Sequence, residues 1–263
     1  MQITIRHTIS LAVGDGVPRA VQHLLLTPPS SDVQTVREWR VEAPGLDEAN
    51  GFVDAYGNRA HLASQTKPEP EFLISAGGIV ETHGGTGVVG RLERDPVPAL
   101  FRRTTPLTKP IGAITSRFRA APKTGKERIA LLHALMARVG EVVGGEASSQ
   151  TQAQDGQSQS QGGGKAAEPV EFAHAFIGAA RALDIPARYV TGYLLPEDGA
   201  AAVHAWAEAW DDGLGWIAFD PMLNLCPADR HVRLATGLDA VSTAAVRSVP
   251  VVGTPVLLSL EVS

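Results

Sequence analysis

Residues 204–221 read HAWAEAWDDGLGWIAFDP, and this stretch decides the fold of the region around it. Large or charged side chains alternate with small or apolar ones on both sides of DDGLG, which is the period-two pattern of β-strands. The DDGLG segment itself is rich in residues that favour tight turns. The stretch therefore predicts a β-hairpin. One face of its first strand carries His204, Trp206, Glu208 and Trp210, and one face of its second carries Trp216, Ala218 and Asp220.

His204 and Asp220 have the same parity about a turn centred near Gly213, so they are expected directly opposite or one diagonal step apart. Such positions have Cβ atoms roughly 4.5 to 8 Å apart, close enough for a carboxylate to hold an imidazole N–H. An imidazole oriented by an aspartate is the base half of a nucleophilic triad. The structural alternative is that the histidine is an ordinary hydrogen-bonded core residue and that Asp-Pro only ends the strand.

Two helices are predicted before the hairpin. Thr124 and Glu127 fit a capping box, and apolar residues at helical spacing follow up to Gly144-Gly145, so the first helix is expected over 125–143. The second is expected over 168–183, with Pro169 in its first turn. Between them, residues 145–167 are rich in Gln, Ser and Gly and have no large apolar side chain, which predicts a mobile low-complexity loop.

The remaining chain is predicted to be mostly β. A strand over 187–195 precedes the hairpin strands at 203–210 and 216–220. Short alternating runs fill residues 1–115, which are interpreted as a β-rich N-terminal domain. A second unit is expected over 124–240. The tail, 241–263, alternates apolar and polar residues and is expected to return as strands to the N-terminal sheet.

Composition limits the possible partners. The net charge is −5, only 19% of the residues are charged, and no long basic run is present, so neither nucleic acid nor a membrane surface is expected as a partner. No stretch reaches the roughly 18 consecutive apolar residues of a membrane span. The single cysteine, Cys226, fits a reducing compartment, and we expect a cytoplasmic protein. No four His or Cys residues stand at zinc-finger spacing, so no metal or other cofactor is expected.

Several linked motifs in this order resemble the bacterial branch of the transglutaminase-like superfamily of papain-like thiol enzymes. The resemblance implies an α+β fold in which a β-rich N-terminal domain precedes a papain-like core, with a helix packed on an antiparallel sheet. It also implies that His204 takes the place of the catalytic histidine and Asp220 that of its orienting acid. The motifs are EFAH at 171–174, IPARYVTGY at 185–193, HAW at 204–206, GW at 215–216, FDP at 219–221 and HVR at 231–233.

The nucleophile of that family does not carry over. Matching Glu171 to the acidic residue that follows the family's cysteine places Pro169 on the cysteine position. Proline has no nucleophilic side chain and no backbone N–H to donate toward an oxyanion. It remains a good first residue for a helix. The resemblance therefore implies a site that keeps the base and its orienting acid and lacks the thiol.

Other candidate residues have simpler interpretations. Cys226 is the one thiol that could replace the missing nucleophile, but no helix N-terminus is predicted beside it, and an inert cysteine is the favoured reading. Trp206 and Tyr193 are candidate substrate-binding residues near His204, with sheet packing as the alternative for the tryptophan. His231 and Arg233 could bind a carboxylate or be ordinary surface residues, and the surface interpretation is favoured. His174 is assigned to core packing, and Glu168 and Glu171 to capping of the second helix.

We expect from these observations a non-catalytic transglutaminase-like protein that binds a peptide, a protein or a partner subunit. The competing class is an active cysteine protease or acyl transferase acting on peptide amide bonds, through Cys226 or another nucleophile. A third possibility is a structural subunit that assembles with an active homologous subunit.

Overall fold

The computed structural model describes residues 1–120, 125–154, 167–197, 201–251 and 253–263. Within those ranges the strands are β1 (Gln2–Ala12), β2 (Arg19–Leu24), β3 (Gln34–Glu42), β4 (Leu46–Val53), β5 (Arg59–Thr66), β6 (Glu71–Thr82), β7 (Val88–Gly90), β8 (Ala187–Leu194), β9 (Ala202–Asp211), β10 (Gly215–Phe219), β11 (His231–Gly237), β12 (Val246–Val249) and β13 (Val256–Val262). The α-helices are α1 (Gly112–Thr115), α2 (Gly125–Gln154) and α3 (Pro169–Ala182). Two short 3-10 helices cover Pro98–Arg102 and Ser116–Phe118.

The N-terminal region forms two four-stranded antiparallel sheets. Their strand orders are β13-β1-β6-β3 and β12-β2-β5-β4. Apolar residues from both sheets, including Leu11, Leu24, Ile74 and Val246, form one buried cluster. Alternation along β1 buries Ile3, Ile5, Ile9 and Leu11 on one side of the strand. Ile9 and Leu11 belong to this cluster, whereas Ile3 and Ile5 belong to a second one that contains residues of the core.

The C-terminal tail supplies one outer strand to each of these sheets. β13 pairs with β1 and β12 pairs with β2, both antiparallel. The last residues of the chain therefore lie beside the first, and the N-terminal sheets are complete only with the tail in place.

A five-stranded antiparallel sheet, in the order β11-β8-β9-β10-β7, forms the centre of the second unit. Its strands β8, β9 and β10 agree within about one residue with the strands predicted over 187–220. The predicted boundary of the N-terminal domain at residue 115 needs a correction, since β7 leaves that region and pairs with β10. The structural reason is that β10 would otherwise expose an unpaired edge.

The two faces of this five-stranded sheet have different neighbours. One face, the helix face, is lined by Ala205, Ala207 and Ala209 of β9, which pack with α2 and α3 in a single apolar cluster. The small side chains let the helices approach the sheet closely. The other face, the aromatic face, carries the residues that alternate with them along β9, which are His204, Trp206, Glu208 and Trp210.

Helix α2 is longer than predicted. It continues through Gly144 and Gly145 to Gln154, so the prediction that these glycines end it is wrong, and the loop expected over 145–167 begins too early. A glycine inside a helix costs only about 1 kcal/mol relative to alanine, which the continuing backbone hydrogen bonds can offset. The rest of that predicted loop, 155–166, and the Thr124 position of the predicted capping box lie outside the described residues.

Helix α3 has the boundaries and the cap that the sequence predicts. Glu168 is the N-cap, Pro169 is the first helical residue, and the Glu168 N–H donates to Oε2 of Glu171 at 2.8 Å. Because the short connection from α3 to β8 reverses the chain and β9 runs antiparallel to β8, the helix begins at the end of the sheet that holds His204. Of the described helices, none combines the length and apolar character needed to cross a lipid bilayer.

Candidate active site

The hairpin of β9 and β10 brings His204 and Asp220 together. Phe219 pairs with Ala207, so continuing the register places Asp220 beside Trp206 and one diagonal step from His204. Nε2 of His204 lies 2.6 Å from Oδ2 of Asp220, and the ring donates its Nε2–H to this ionised oxygen. The prediction that His204 and Asp220 lie next to each other is confirmed.

Asp220 is held in place from both of its oxygens. Oδ1 accepts the backbone N–H groups of Met222 and Leu223, each at 3.1 Å, and thereby fixes the turn that follows the strand. Burial by itself would raise the pKa of Asp220, but the hydrogen bonds from His204 and His231 outweigh it and lower the pKa to about 2. Asp220 is therefore a buried carboxylate that is ionised at neutral pH.

His231 is a further residue of the site and is buried beside Asp220. The favoured expectation of a surface residue is wrong, because His231 is 8% exposed, and the alternative of a carboxylate partner is confirmed, because its Nε2 lies 3.2 Å from Oδ2 of Asp220. The cause is strand order, because β11 pairs with β8 and not with β10, in a register that joins His231 to Leu194. In the sequence, the only sign of this position is that His231 and Arg233 alternate along one strand. That alternation does not indicate which strand pairs with β11.

Gly192 and Trp206 allow the rings on this face to approach one another. A Cβ atom on Gly192 would lie 2.4 Å from the Trp206 ring, so only glycine leaves room for the indole over β8. The indole is 5.4 Å from the His231 ring and 6.2 Å from the His204 ring between centroids. Trp206 is 2% exposed, so its main contribution is to pack the aromatic face around the two histidines.

Tyr193 does not occupy a position where it could touch a ligand from solvent. It is completely buried between the N-terminal sheet and the core, with its hydroxyl 3.0 Å from Nδ1 of His7. The expectation that Tyr193 contacts substrate is therefore corrected. The residue follows Gly192 by one position and so faces the other way from the rings around His204.

A second buried carboxylate, Glu208, lies on the same face as Asp220. Each of its carboxylate oxygens accepts one hydrogen bond. Oε2 accepts the Nε–H of Arg188 at 2.6 Å, and Oε1 accepts the Nε–H of Arg233 at 3.0 Å. The Arg188 guanidinium also lies 3.9 Å above the Trp216 ring and 2.9 Å from Asp95. Arg233 is thus a buried partner of Glu208 and not the surface residue expected from the sequence.

Pro169 and Cys226 are the two residues that bear on the nucleophile. Pro169 is the first residue of α3 and offers only its ring and its carbonyl there. Cys226 is partly buried against the helix-face core, and burial raises the pKa of its thiol. An activated cysteine needs the opposite shift, because the thiolate is the nucleophile. His174, as expected, packs in the core, where its Nε2 accepts the Ala240 N–H at 3.1 Å.

A small cavity of about 40 Å³ adjoins the site. Its wall is formed by Trp206, Glu208, His231 and Arg233 from the core and by residues that include Gln34 from the N-terminal region. Nδ1 of His231 is buried and has no hydrogen-bond partner among the described residues. The volume is enough for a water molecule, for which polar walls such as these provide partners.

Comparisons with known proteins agree with this architecture. A family model described as the transglutaminase-like superfamily matches residues 114–221, and a model described as the bacterial transglutaminase-like N-terminal region matches residues 3–81. An uncharacterized protein of Mycobacterium leprae is 23% identical over 245 residues, which are 85% of this chain and 84% of that protein. The crystal structure of a candidate cysteine protease from Cytophaga hutchinsonii has a TM-score of 0.64 at 20% identity, with 100% of this chain and 89% of that chain covered. At that identity the likeness shows the fold alone.

Proposed function

We propose that this chain, which belongs to the transglutaminase-like superfamily, is a non-catalytic member that binds a peptide or a protein segment beside His204. One observation carries the proposal. The histidine and aspartate are kept at 2.6 Å, whereas the residue that the resemblance assigns to the nucleophile is Pro169 at the start of α3. A partner could also be an active homologous subunit, and a cytoplasmic location is part of the same proposal.

The chemistry of the site supports the absence of thiol catalysis. Amide-bond cleavage by this kind of enzyme needs a thiolate close to the imidazole and N–H donors for the oxyanion. Pro169 provides neither group, and the pKa of the Cys226 thiol is raised by burial. The His204 and Asp220 pair alone can orient a proton donor or acceptor but cannot form an acyl intermediate.

The surface next to the pair favours an apolar ligand segment. Met222 and Leu223 are about two-fifths exposed, and Leu225 and Val203 nearly as much. Three of these four residues lie in the turn that Asp220 holds through its Oδ1 oxygen and through the bridge to Leu225. Exposed apolar side chains on a fixed turn are a usual feature of peptide-binding surfaces.

The alternative function is an active cysteine protease or acyl transferase that uses Cys226. It is favoured by the fold that this chain shares with the candidate cysteine protease, and it is opposed by the environment of the thiol. Both functions predict a folded His204 and Asp220 pair, so only a measurement of thiol reactivity distinguishes them.

The test compares labelling by a thiol-directed peptide electrophile in the wild type, Cys226→Ala and Pro169→Cys, with Pro169→Ala as the folding control. We expect slow labelling of the wild type that is unchanged by His204→Asn, and rapid labelling of Pro169→Cys that requires His204. A wild-type adduct whose formation depends on His204 would overturn the proposal. If the labelling of Pro169→Cys does not depend on His204, the assignment of Pro169 to the nucleophile position is contradicted.

Binding is tested directly with a peptide library presented to the purified chain. We expect apolar peptides to bind and Leu223→Asp to weaken their binding at least about tenfold, since a charge replaces an apolar contact. Leu73→Asp is the matched control, because Leu73 is also exposed but lies on β6 of the N-terminal sheet. Equal losses in both variants, or no bound peptide, would contradict the proposed surface.

A further inference from the structure

We infer that His204, Asp220 and His231 form a binding site for one divalent transition metal ion, with zinc as the representative ion. One ligand atom from each of the three residues lies within 4.8 Å of the other two, and all three residues are buried. Among the residues that the structure describes, this is the one group of three such side chains. The inference goes beyond the proposed function and holds whether or not a peptide binds.

The charge around Asp220 favours a bound cation. Asp220 is 0% exposed, and the two ion-pair partners found for it are the histidines, which are charged only when protonated. Glu208, the other buried carboxylate of this face, has two permanently charged arginines. Hydrogen bonds already stabilise the Asp220 carboxylate, and a metal ion would add the full positive charge that two neutral imidazoles do not supply.

The distances between the ligand atoms are close to those around a zinc ion. Zinc binds imidazole nitrogen at about 2.0–2.1 Å and carboxylate oxygen at about 2.0–2.2 Å, so ligand atoms around a tetrahedral ion lie about 3.3 Å apart. The 3.2 Å between His231 Nε2 and Asp220 Oδ2 already fits this spacing. The His204 ring must withdraw by less than about 1 Å from its present 2.6 Å contact, a shift that its side-chain torsions can supply.

Metal binding also requires a proton to move within each ring. In the present hydrogen bonds each Nε2–H points to Asp220, and a metal ion instead takes the Nε2 lone pair while the proton resides on Nδ1. The net proton count does not change. For His231, Nδ1 is buried without a hydrogen-bond partner among the described residues, and the residue helps to line the cavity of about 40 Å³, where a water molecule could accept the new Nδ1–H.

Three protein ligands leave a fourth position on the ion. This is the ligand count of zinc sites that keep a place for water or for an oxygen atom of a ligand. A metal at this site would therefore bind an oxygen donor, and the adjoining cavity of about 40 Å³ has room for a water molecule in that role.

The experiment measures binding of Zn²⁺ and Co²⁺ to the chelator-treated full chain by calorimetry and by visible absorption of the cobalt form. We expect one ion per chain, an intense tetrahedral cobalt spectrum, and affinity at least about 100-fold weaker in His231→Gln and in His204→Gln. His23→Gln is the matched control, since His23 lies on β2 of the N-terminal sheet. Binding that survives His231→Gln, or no binding tighter than about 10 μM, would overturn the inference.

A measurement on the wild type keeps the inference testable if a variant does not fold. Long-range ¹⁵N–¹H spectra report the tautomer of every histidine ring, and Zn²⁺ should move His204 and His231 alone from the Nε2–H to the Nδ1–H form. Two imidazole rings that stay in the Nε2–H form with Zn²⁺ present would refute metal binding. Thiol labelling tests the proposed function separately, so the two can fail independently.

Discussion

Nε2 of His231 lies 3.2 Å from Oδ2 of Asp220, the same oxygen that faces Nε2 of His204 at 2.6 Å. One buried carboxylate oxygen thus serves two imidazoles that arrive from strands on either side of β8. This shared oxygen links the turn after β10 to the outer strand β11. It makes Asp220 the residue on which both the His204–Asp220 pair and the candidate metal site depend.

Replacing Asp220 by Asn should reduce the stability of the fold at neutral pH. The folded pKa of about 2 lies below the unfolded value of 3.8, so ionised Asp220 stabilises the fold by about 2 kcal/mol. The contribution is complete above about pH 4 and is lost as the pH falls through about 2. Urea unfolding with a chelator present should show that the free energy of unfolding differs between the wild type and Asp220→Asn, and that this difference shrinks as the pH falls from about 4 to about 2. A difference that stays constant between pH 4 and 2 would argue against the ionised pair.

Acid should weaken the contact between the N-terminal sheet and the core through His7. Burial lowers the pKa of His7 from 6.5 to about 4, so the unfolded chain takes up this proton first. Stability from His7 is complete above about pH 6.5, and up to about 3 kcal/mol is lost as the pH falls to 4. His7→Gln should flatten the pH dependence of unfolding in this range. Parallel curves for the two proteins would exclude His7 as the cause.

The Glu208 network should be sensitive to the loss of its carboxylate charge. Glu208→Gln leaves Arg188 and Arg233 buried without their common anion, and such changes cost about 3–5 kcal/mol. Thermal and urea unfolding measure this loss. Glu141→Gln is the control, because Glu141 pairs with Arg138 on the exposed side of α2 and should change little. Similar effects of both substitutions would show that burial is not the reason.

Two glycine-to-alanine substitutions should have opposite effects. Gly192→Ala places a Cβ 2.2 Å from the Val232 carbonyl oxygen and 2.4 Å from the Trp206 ring, so we expect a loss of at least about 2 kcal/mol and a change in tryptophan fluorescence. Gly145→Ala meets open space on the exposed side of α2 and should stabilise the helix by about 0.5–1 kcal/mol. Unfolding free energies of both variants give the comparison. A harmless Gly192→Ala would mean that the indole does not cover β8.

Secondary structure around the site was largely predictable because its signals are local. The alternation in residues 204–220 indicated two strands and their turn, and the cap at Glu168 and Pro169 indicated where α3 begins. The end of α2 was not predictable in the same way. A Gly-Gly pair can end a helix by adopting a left-handed backbone conformation, or it can lie within a helix in the right-handed conformation. The sequence does not show which conformation the pair adopts.

The sequence by itself determined that His204 and Asp220 are neighbours, since parity across a short hairpin depends only on the number of residues in it. Through the resemblance it also predicts that Pro169 stands where the family has its thiol. Only the tertiary structure decided the place of His231, because the position of β11 beside β8 is a pairing between strands far apart in the chain. Burial of Tyr193 and Arg233 has the same origin, since each is covered by elements that no local pattern identifies.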